Sequence, residues 1–452
     1  MTEPLRAIDL FCGAGGMSLG FHKAGYRIAV AVDMDEKAAE TFSRNLAVLQ
    51  RDDSPVVLAG EQGSLDHLDL ENLARQHPVD VLIGGPPCQA FSRIGRAKLQ
   101  SLTGRPFDED ERLVLYERFL EAVSRWQPRA FVMENVPGML IVNGYNHAKI
   151  AVAEMTDLGY NTGYALLNAA WYGVPQFRER LFFIGFRRDL GVAPSAPTPT
   201  HQVLSPSGYI FRPDPKNLTL DFLEDPELRL VETTASTPPV SVGDAIGDLP
   251  KLTEHLGDEA EPRRRNFRRE RDYRVPPHSA YATLMRSWPG FEPCTSIDDH
   301  EIRLTPRDHE TFRRMQPGDR YPQALVIARQ RFQEDLDGRD VPPLPESPEY
   351  VALKKRYVPP YPEDDFVDKW RKLDADRPSW TVTAHLSKDT YSHIHYDSEQ
   401  ARGISVREAA RLQSFPDGFK FTGNKGDCFR QIGNAVPPLL AQAIAEQLKS
   451  QL

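Results

Sequence analysis

The chain has 452 residues, 40% of them hydrophobic and 26% charged, with a formal net charge of −9 at pH 7, which is ordinary for a globular protein of two or three domains. No apolar run reaches membrane-spanning length and no signal peptide is recognisable, so the sequence predicts a cytoplasmic protein. Four scattered cysteines without a CxxC pair argue against a disulfide framework and against a metal site.

The first 188 residues alternate apolar runs with amphipathic segments. In chain order the pattern predicts strand RAIDLF, helix MSLGFHKAG, strand RIAVAVDMD, helix EKAAETFSRN, strand VDVLIGG, helix RLVLYERFLEAVSRW, strand RAFVMENV, helix HAKIAVAEMTDLG and strand ERLFFIGFR. Strands that alternate with helices predict an α/β fold with a doubly wound, mostly parallel sheet. Such a sheet binds ligands at the carboxyl ends of its strands.

The pattern changes after Arg188. GVAPSAPTPTHQVLSPSG is rich in Pro, Ser and Thr and is typical of a linker, and the stretch from there to about Trp370 is irregular. Amphipathic helices are predicted again at SVREAARLQSF and PPLLAQAIAEQLKSQL, and the second could pack back on the N-terminal sheet. We therefore expect a discontinuous first domain (1–188 and 425–452) and a second, smaller, irregular domain with a hinge (189–424).

A glycine-rich turn follows the first predicted strand. DLFCGAGGMSLGF places Gly13, Gly15 and Gly16 before the first helix, where glycine lets the backbone approach a ligand closely. The G-x-G-G spacing departs from the G-x-G-x-x-G of dinucleotide-binding folds, and a tight turn without a ligand is the alternative. The second strand ends in Asp33, whose carboxylate could accept hydrogen bonds from ribose hydroxyls.

A cysteine follows two prolines where the third predicted strand ends. In GGPPCQAFS, Pro86 and Pro87 restrict the backbone and hold the position of Cys88 at the edge of the sheet where this architecture places chemistry. The thiolate is the nucleophilic form of cysteine. The pattern favours a nucleophile, and a buried structural cysteine is the alternative.

Charged residues follow two of the later strands. MENVPG places Glu134 at the same edge as Cys88, where it is a candidate for acid–base catalysis. A glutamate at the solvated start of a loop would give the same pattern and is the alternative. In QFRER, Arg178 and Arg180 alternate by two, so both side chains point the same way if the stretch is extended. Two such guanidiniums could bind a phosphate or a polar base, and a surface ion-pair ladder with Glu179 is the alternative.

Together these motifs resemble one family, the cytosine-5 DNA methyltransferases. DLFCGAGG, GGPPCQAFS, MENV, QFRER, REAARLQSFPDGF and QIGNAVPP occur in the family's order, and the resemblance covers roughly residues 5–188 and 371–450. It implies an S-adenosylmethionine-dependent methyltransferase fold. It also implies methyl transfer from S-adenosylmethionine to carbon 5 of a flipped cytosine in a specific duplex DNA sequence, as part of a restriction-modification or related defence system.

The resemblance also implies roles for single residues. Cys88 matches the nucleophile that adds to carbon 6 of cytosine, Glu134 the residue that engages ring nitrogen 3 and the exocyclic amine, and Arg180 an active-site arginine. Asp33 matches the ribose contact and Met34 the adenine contact. Further positions match the catalytic site (Arg178, Asn135 and Pro87) and the cofactor site (Phe11, Gly13, Ala14, Gly15, Gly16, Leu115, Asn434 and Ala435). The family's adenine-contacting "GD" pair is missing, and GEQGSLDHL leaves Ser64 or Asp66 as its substitute.

Two basic stretches lie outside these motifs. Arg93 and Lys98 belong to a loop that resembles the family's mobile loop and could contact phosphates. Residues 189 to about 370 occupy the position of the family's target-recognition region, and residues 263–274 hold seven arginines against Glu270 and Asp272. Arginine suits both phosphate contact and guanine readout, and a charged surface segment is the alternative. A local basic surface of this kind reconciles a negative net charge with DNA binding.

Other functions explain less of the sequence. A tRNA cytosine-5 methyltransferase would use the same chemistry but resembles this chain less, because its second region is shorter. A catalytically dead DNA-binding homologue conflicts with the intact Cys88, Glu134 and Arg180. A nicotinamide oxidoreductase fails on the glycine spacing. The expected partners are duplex DNA and a cognate restriction endonuclease or defence complex, with no membrane, and the catalytic form is expected to be a monomer.

Overall fold

A seven-stranded sheet forms the centre of the N-terminal part. The computed structural model describes residues 3–51, 53–87, 113–142, 145–202, 204, 235–257, 269–363 and 369–452. The strands are β1 (Arg6–Leu10), β2 (Arg27–Asp33), β3 (Val56–Ala59), β4 (Val81–Gly84), β5 (Ala130–Asn135), β6 (Tyr160–Asn168) and β7 (Glu179–Arg187). Their order is β3-β2-β1-β4-β5-β7-β6, with β1 to β5 parallel and β7 antiparallel to both of its neighbours. The predicted doubly wound, mostly parallel sheet is confirmed.

Helices cover both faces of this sheet. They are α1 (Gly16–Lys23), α2 (Glu36–Leu49), α3 (Leu70–Gln76), α4 (Leu113–Trp126) and α5 (His147–Asp157). Leu10, Leu82 and Phe131 point to the face covered by α3, α4 and α5, whereas Ile83 and Val132 point to the face covered by α1 and α2. Both faces are buried, and for this reason the strands read as continuous apolar runs.

The last helix, α13 (Pro438–Gln451), packs against α1. A Cβ atom at Gly20 would lie 2.4 Å from the Pro438 carbonyl oxygen and 2.5 Å from the Ala441 Cβ, so only glycine allows the two helices to approach this closely. The Tyr26 hydroxyl donates a hydrogen bond to the Ala445 carbonyl (3.2 Å). The predicted return of this helix to the N-terminal sheet is confirmed.

The remaining described segments hold seven helices and a two-residue ladder, Arg271–Asp272 with Ser296–Ile297. The helices are α6 (Val242–Ile246), α7 (Ala280–Arg286), α8 (His309–Arg314), α9 (Tyr321–Asp337), α10 (Pro348–Tyr357), α11 (Val406–Leu412) and α12 (Lys425–Asn434). The expectation of an irregular stretch was wrong for α9 and α10. Helix α9 buries one stripe of residues at helical spacing: Tyr321, Ala324, Leu325, Ala328, Phe332 and Leu336. None of the helices in the described ranges is long and apolar enough to cross a membrane.

Buried ion pairs surround α11. Arg402 makes two hydrogen bonds of 2.7 Å to the Glu408 carboxylate. Arg411 makes two hydrogen bonds of 2.7 Å to Asp417 and one of 3.0 Å to Asp248. All five side chains are at most 1% exposed. These pairs join α11 to the segment that follows α6, so the motif REAARLQSFPDGF is a buried polar scaffold.

Candidate active site

The strand register places three sequence-predicted positions, Phe11, Asp33 and Glu134, in one row with Gly85 at the carboxyl edge of the sheet. Leu10 pairs with Val32 and with Gly84, and Gly84 pairs with Met133. The residues that follow them, Phe11, Asp33, Gly85 and Glu134, therefore come next to one another along this edge. This is the edge at which open α/β sheets bind ligands.

The glycine turn is open on one side and closely packed on the other. Gly13 has a φ of 52° and a Cβ atom there would meet nothing within 4 Å, so a ligand can approach the backbone at this point. A Cβ atom at Gly16 would lie 2.2 Å from the Val436 carbonyl oxygen and 3.1 Å from the Ala435 Cβ. Ala435 thus lies against the turn, whereas the Ala14 side chain is buried in the core around α11 and α12.

Asp33 is held by backbone N–H groups on both oxygens. Gly13 N donates to Oδ2 and Asp35 N donates to Oδ1, each at 2.7 Å. Burial raises the pKa of Asp33, and these two hydrogen bonds oppose the shift. Each carboxylate oxygen keeps further acceptor capacity for a hydroxyl group. Met34 beside it is 70% exposed, which is unusual for a large apolar side chain. A carboxylate and an exposed apolar surface at an open glycine turn fit the ribose and adenine of an adenosyl group.

The other predicted cofactor positions differ in exposure. Ser64 is half-buried and follows the 3₁₀ turn Gly60–Gly63, which lies against the end of β2, whereas Asp66 is exposed. Phe11 and Leu115 are half-buried, and Asn434 is exposed at the end of α12. Because Gly63, the residue before Ser64, lies against the Asp33 carbonyl, Ser64 is a better candidate than Asp66 for the missing adenine contact.

Sequence reasoning missed one acidic residue beneath this turn. Asp9 lies in β1, is 1% exposed, and accepts a hydrogen bond from the Ser18 hydroxyl (2.5 Å). Burial raises the pKa of Asp9 to about 7, with the Asp33 carboxylate adding to the shift and the Ser18 hydrogen bond opposing it. The available signal was an acidic residue inside an otherwise apolar strand.

Glu134 and Arg180 form the polar centre at the end of β5. The Arg180 Nε lies 2.7 Å from the Glu134 Oε1, and the two side chains are 15% and 13% exposed. Because Glu134 pairs with Phe182, Arg180 lies on the same face of the sheet two residues earlier in β7. Burial raises the pKa of Glu134, and the positive charges of Arg180 and then Arg178 oppose the shift. The resulting carboxyl group is more easily protonated than an exposed glutamate.

Three further predicted catalytic residues lie around this pair. Arg178 is fully buried, and its guanidinium donates to the backbone carbonyls of Val382 (2.7 Å), Gly433 (2.9 Å) and Ala435 (3.0 Å). Asn135 is buried, and its side-chain oxygen accepts a hydrogen bond from the Val136 N–H. Pro87 is exposed. The structure therefore brings Arg180 to Glu134 directly, while Arg178 acts on it through charge and holds neighbouring backbone.

Cys88, Arg93, Lys98 and Arg263 to Arg265 lie outside the described residues. Of the other cysteines, Cys12 and Cys428 are buried and Cys294 is half-buried. Burial raises the pKa of the Cys12 thiol well above its usual range, with Asp33 and Asp9 adding to the shift, and burial also raises that of Cys294. Neither Cys12 nor Cys294 is therefore activated for nucleophilic attack.

Comparison with known proteins decides the family. The sequence profile of the C-5 cytosine-specific DNA methylases matches residues 5–450, nearly the whole chain. The chain belongs to the C-5 cytosine-specific DNA methylase family. It is a DNA (cytosine-5-)-methyltransferase, and S-adenosylmethionine is its methyl donor. The membership of this family that the six motifs predicted is confirmed.

Relatives match the chain over almost its full length. M.OihORF3336P of Oceanobacillus iheyensis, which carries a type II methyltransferase name, is 39% identical, covering 98% of this chain and 95% of its own. The type II methyltransferase M.AgeI of Thalassovita gelatinovora is 32% identical, covering 98% and 99%. A prophage-encoded E. coli protein assigned as a DNA modification methyltransferase has a crystal structure that shares the fold, with a TM-score of 0.63 at 23% identity over 99% of each chain.

Proposed function

We propose that this cytosine-5 methylase modifies a specific duplex DNA sequence through covalent addition of Cys88 to the target base. The observation that carries the proposal is the half-buried Glu134–Arg180 pair (2.7 Å), in one row with the glycine turn and with the strand end that leads into Pro87 and Cys88. This edge combines an adenosyl-binding surface with an acid–base group. Base flipping would bring the cytosine to it.

The residues then divide the reaction between them. The Cys88 thiolate forms a bond to carbon 6 of cytosine while Glu134, whose pKa burial raises, donates a proton to ring nitrogen 3. S-adenosylmethionine supplies the methyl group as an electrophile on a positively charged sulfur. Carbon 5 bonds to that methyl carbon as the methyl–sulfur bond breaks. A water molecule takes the carbon 5 proton, the carbon 6–sulfur bond breaks to release the Cys88 thiolate, and the ring nitrogen 3 proton returns to the Glu134 carboxylate, which restores the aromatic base.

Residues 1–188 with 425–452 would carry this chemistry, and residues 189–424 would form the target-recognition domain and the hinge, with 189 to about 370 selecting the DNA. The arginine-rich stretch 263–274 would supply phosphate contacts or guanine readout. The type II names of full-length relatives support a role beside a cognate restriction endonuclease in a restriction-modification or related defence system. We further propose a cytoplasmic enzyme that acts as a monomer.

The covalent step is tested with Cys88→Ser. Bisulfite sequencing of DNA from a host that expresses the wild type should show methylated cytosine in one sequence context, and the variant should show none. DNA with 5-fluorocytosine at the target should trap the wild type covalently, because carbon 5 then carries no removable proton. Trapping that persists in the serine variant would identify a different nucleophile.

A further inference from the structure

A closed ring of hydrogen bonds lies beside the Glu134–Arg180 pair. Gln176 Oε1 accepts from the Val382 N–H (3.0 Å), and the Val382 carbonyl accepts from Arg178 Nη1 (2.7 Å). The Ala435 carbonyl accepts from both Arg178 Nη2 (3.0 Å) and Gln413 Nε2. Gln176 Nε2 donates to Gln413 Oε1 and thereby closes the ring. We call these five residues the amide–guanidinium ring.

The three side chains of the ring, those of Gln176, Arg178 and Gln413, are fully buried. Both glutamines use their oxygen and their nitrogen, and Gln176 Nε2 also donates to the Leu412 carbonyl (2.7 Å). A buried polar group that loses its partner pays a desolvation penalty, so the ring resists any shift of one segment against another. Gln176 and Arg178 lie more than 200 residues before the other three members, Val382, Gln413 and Ala435.

The amide–guanidinium ring is connected to both the Glu134–Arg180 pair and the cofactor turn. On one side, Arg178 precedes Arg180 by two residues, and Arg180 holds the Glu134 carboxylate. On the other side, Ala435 and its neighbour Val436 form the surface against which Gly16 of the cofactor turn packs. The ring therefore sets the distance between the acid–base group and the backbone that would carry the methyl donor.

We propose that Gln176 and Gln413 are positioning residues for methyl transfer. Neither would touch cytosine or S-adenosylmethionine. They hold Ala435 and Arg178 so that the cofactor turn and the Glu134 carboxyl group keep one relative position. This inference rests on the proposed function, because it assigns the amides a role in that reaction.

The test replaces Gln413 with leucine, which has a similar size and no hydrogen-bonding group. The kcat for tritium transfer from labelled S-adenosylmethionine to unmethylated genomic DNA should fall about 10- to 100-fold, because small misplacements of reacting groups are costly in rate. The Kd for S-adenosylmethionine should change less than threefold. The double variant Gln176→Leu/Gln413→Leu should lose no more kcat than the worse single variant, since either change opens the ring.

Gln431→Leu is the matched control. Gln431 is 4% exposed and also makes two side-chain hydrogen bonds, from the Thr41 hydroxyl (2.8 Å) and to the Thr422 carbonyl (3.0 Å), but it is outside the ring. It should lower Tm comparably and leave kcat unchanged. If Gln413→Leu does not fold, Gln413→Met replaces it.

Two results would overturn the positioning role: a Gln413→Leu kcat within twofold of the wild type, or an equal loss of kcat in Gln431→Leu. A wild type that transfers no methyl group to this DNA would instead overturn the proposed function, and the role of the ring with it.

Discussion

The active-site edge and the scaffold around α11 each contain a buried glutamate beside an arginine, but the two carboxyl groups behave in opposite ways. Burial raises the pKa of Glu134 against the opposing charges of Arg180 and Arg178, and the Glu134 side chain is 13% exposed. Although burial opposes it, Arg402 holds the pKa of Glu408 well below its usual range. Glu408 accepts two hydrogen bonds from Arg402 and another from the Ser405 N–H (2.7 Å).

The balance between burial and the surrounding charges differs at the two sites: the Arg402 charge and hydrogen bonds outweigh burial at Glu408, whereas burial outweighs the charges of Arg180 and Arg178 at Glu134. A carboxylate with several donors is fixed in its charged form and holds the fold together. One with few donors can gain a proton or exchange its partner, as acid–base chemistry requires. The first two predictions replace each glutamate with glutamine, which separates the catalytic role of Glu134 from the structural role of Glu408.

Glu134→Gln should lower kcat by about 10²–10⁴-fold, the usual contribution of a general acid or base. Its free energy of unfolding should fall by less than about 1 kcal/mol, because folding already disfavours the charged form of a group whose pKa is raised. Steady-state methyl transfer and urea denaturation measure the two quantities. Near-normal turnover would remove Glu134 from the mechanism.

Glu408→Gln should lower the free energy of unfolding by about 3–5 kcal/mol, because it leaves the Arg402 guanidinium buried without a compensating charge. For the protein that remains folded, kcat should stay close to that of the wild type. Urea denaturation beside the kinetic assay distinguishes the outcomes. A stability loss no larger than that of Glu134→Gln would contradict the comparison.

The scaffold should also make stability depend on pH. Burial lowers the pKa of His300 to about 4 and that of His395 to about 3, against about 6.5 in an unfolded chain. Between pH 6.5 and 4 the unfolded state binds more protons than the folded state. The stabilisation is therefore fully present above pH 6.5 and is lost as the pH falls. The free energy of unfolding decreases by up to about 1.4 kcal/mol per pH unit for each histidine.

Replacing His300 should flatten this dependence. His300→Gln should reduce the slope by about one such contribution, measured as the free energy of unfolding at pH 4.5, 5.5 and 6.5. His385 is more than half exposed, so His385→Gln is the control and should keep the wild-type slope. An unchanged slope in His300→Gln would show that His300 titrates normally in the folded protein.

The smallest effect is expected at the exposed part of the edge. Met34→Ala should leave Tm unchanged, because the side chain is 70% exposed and contributes little to the core. It should weaken S-adenosylmethionine binding about fivefold, the loss of about 1 kcal/mol of apolar contact. Calorimetric titration gives the Kd. A drop in Tm without a change in affinity would assign Met34 to the fold.

Much of the sheet could be read from the sequence because β1, β2, β4, β5 and β7 are apolar runs with clear boundaries. Strand β3 is short and half-exposed, and β6 alternates weakly, so neither pattern was strong enough to predict a strand. Helix α9 was missed because its charged residues obscure the spacing of its buried stripe. These signals are present in the sequence but weak.

At the site, the sequence predicted positions but not partners. The register of the strands brings Glu134 to the same edge as Asp33, while Cys88, its predicted neighbour, lies outside the described residues. That Arg178 binds three carbonyls depends on segments more than 200 residues later in the chain, whereas Arg180 reaches Glu134 through the pairing of β5 with β7. Gln176 and Gln413 carry no chemical signal of their own, so only their mutual contact reveals them.

The packing of α1 against α13 has a consequence for how the enzyme is made. The hydrogen bond from Tyr26 to Ala445 joins residues 419 positions apart, and Gly16 of the cofactor turn packs on the Val436 backbone. A ribosome that adds about 5–20 residues per second needs tens of seconds to synthesise the residues between them. During that time the cofactor turn lacks the backbone against which it packs. A nascent chain whose synthesis has not reached Val436 therefore lacks the backbone against which Gly16 packs.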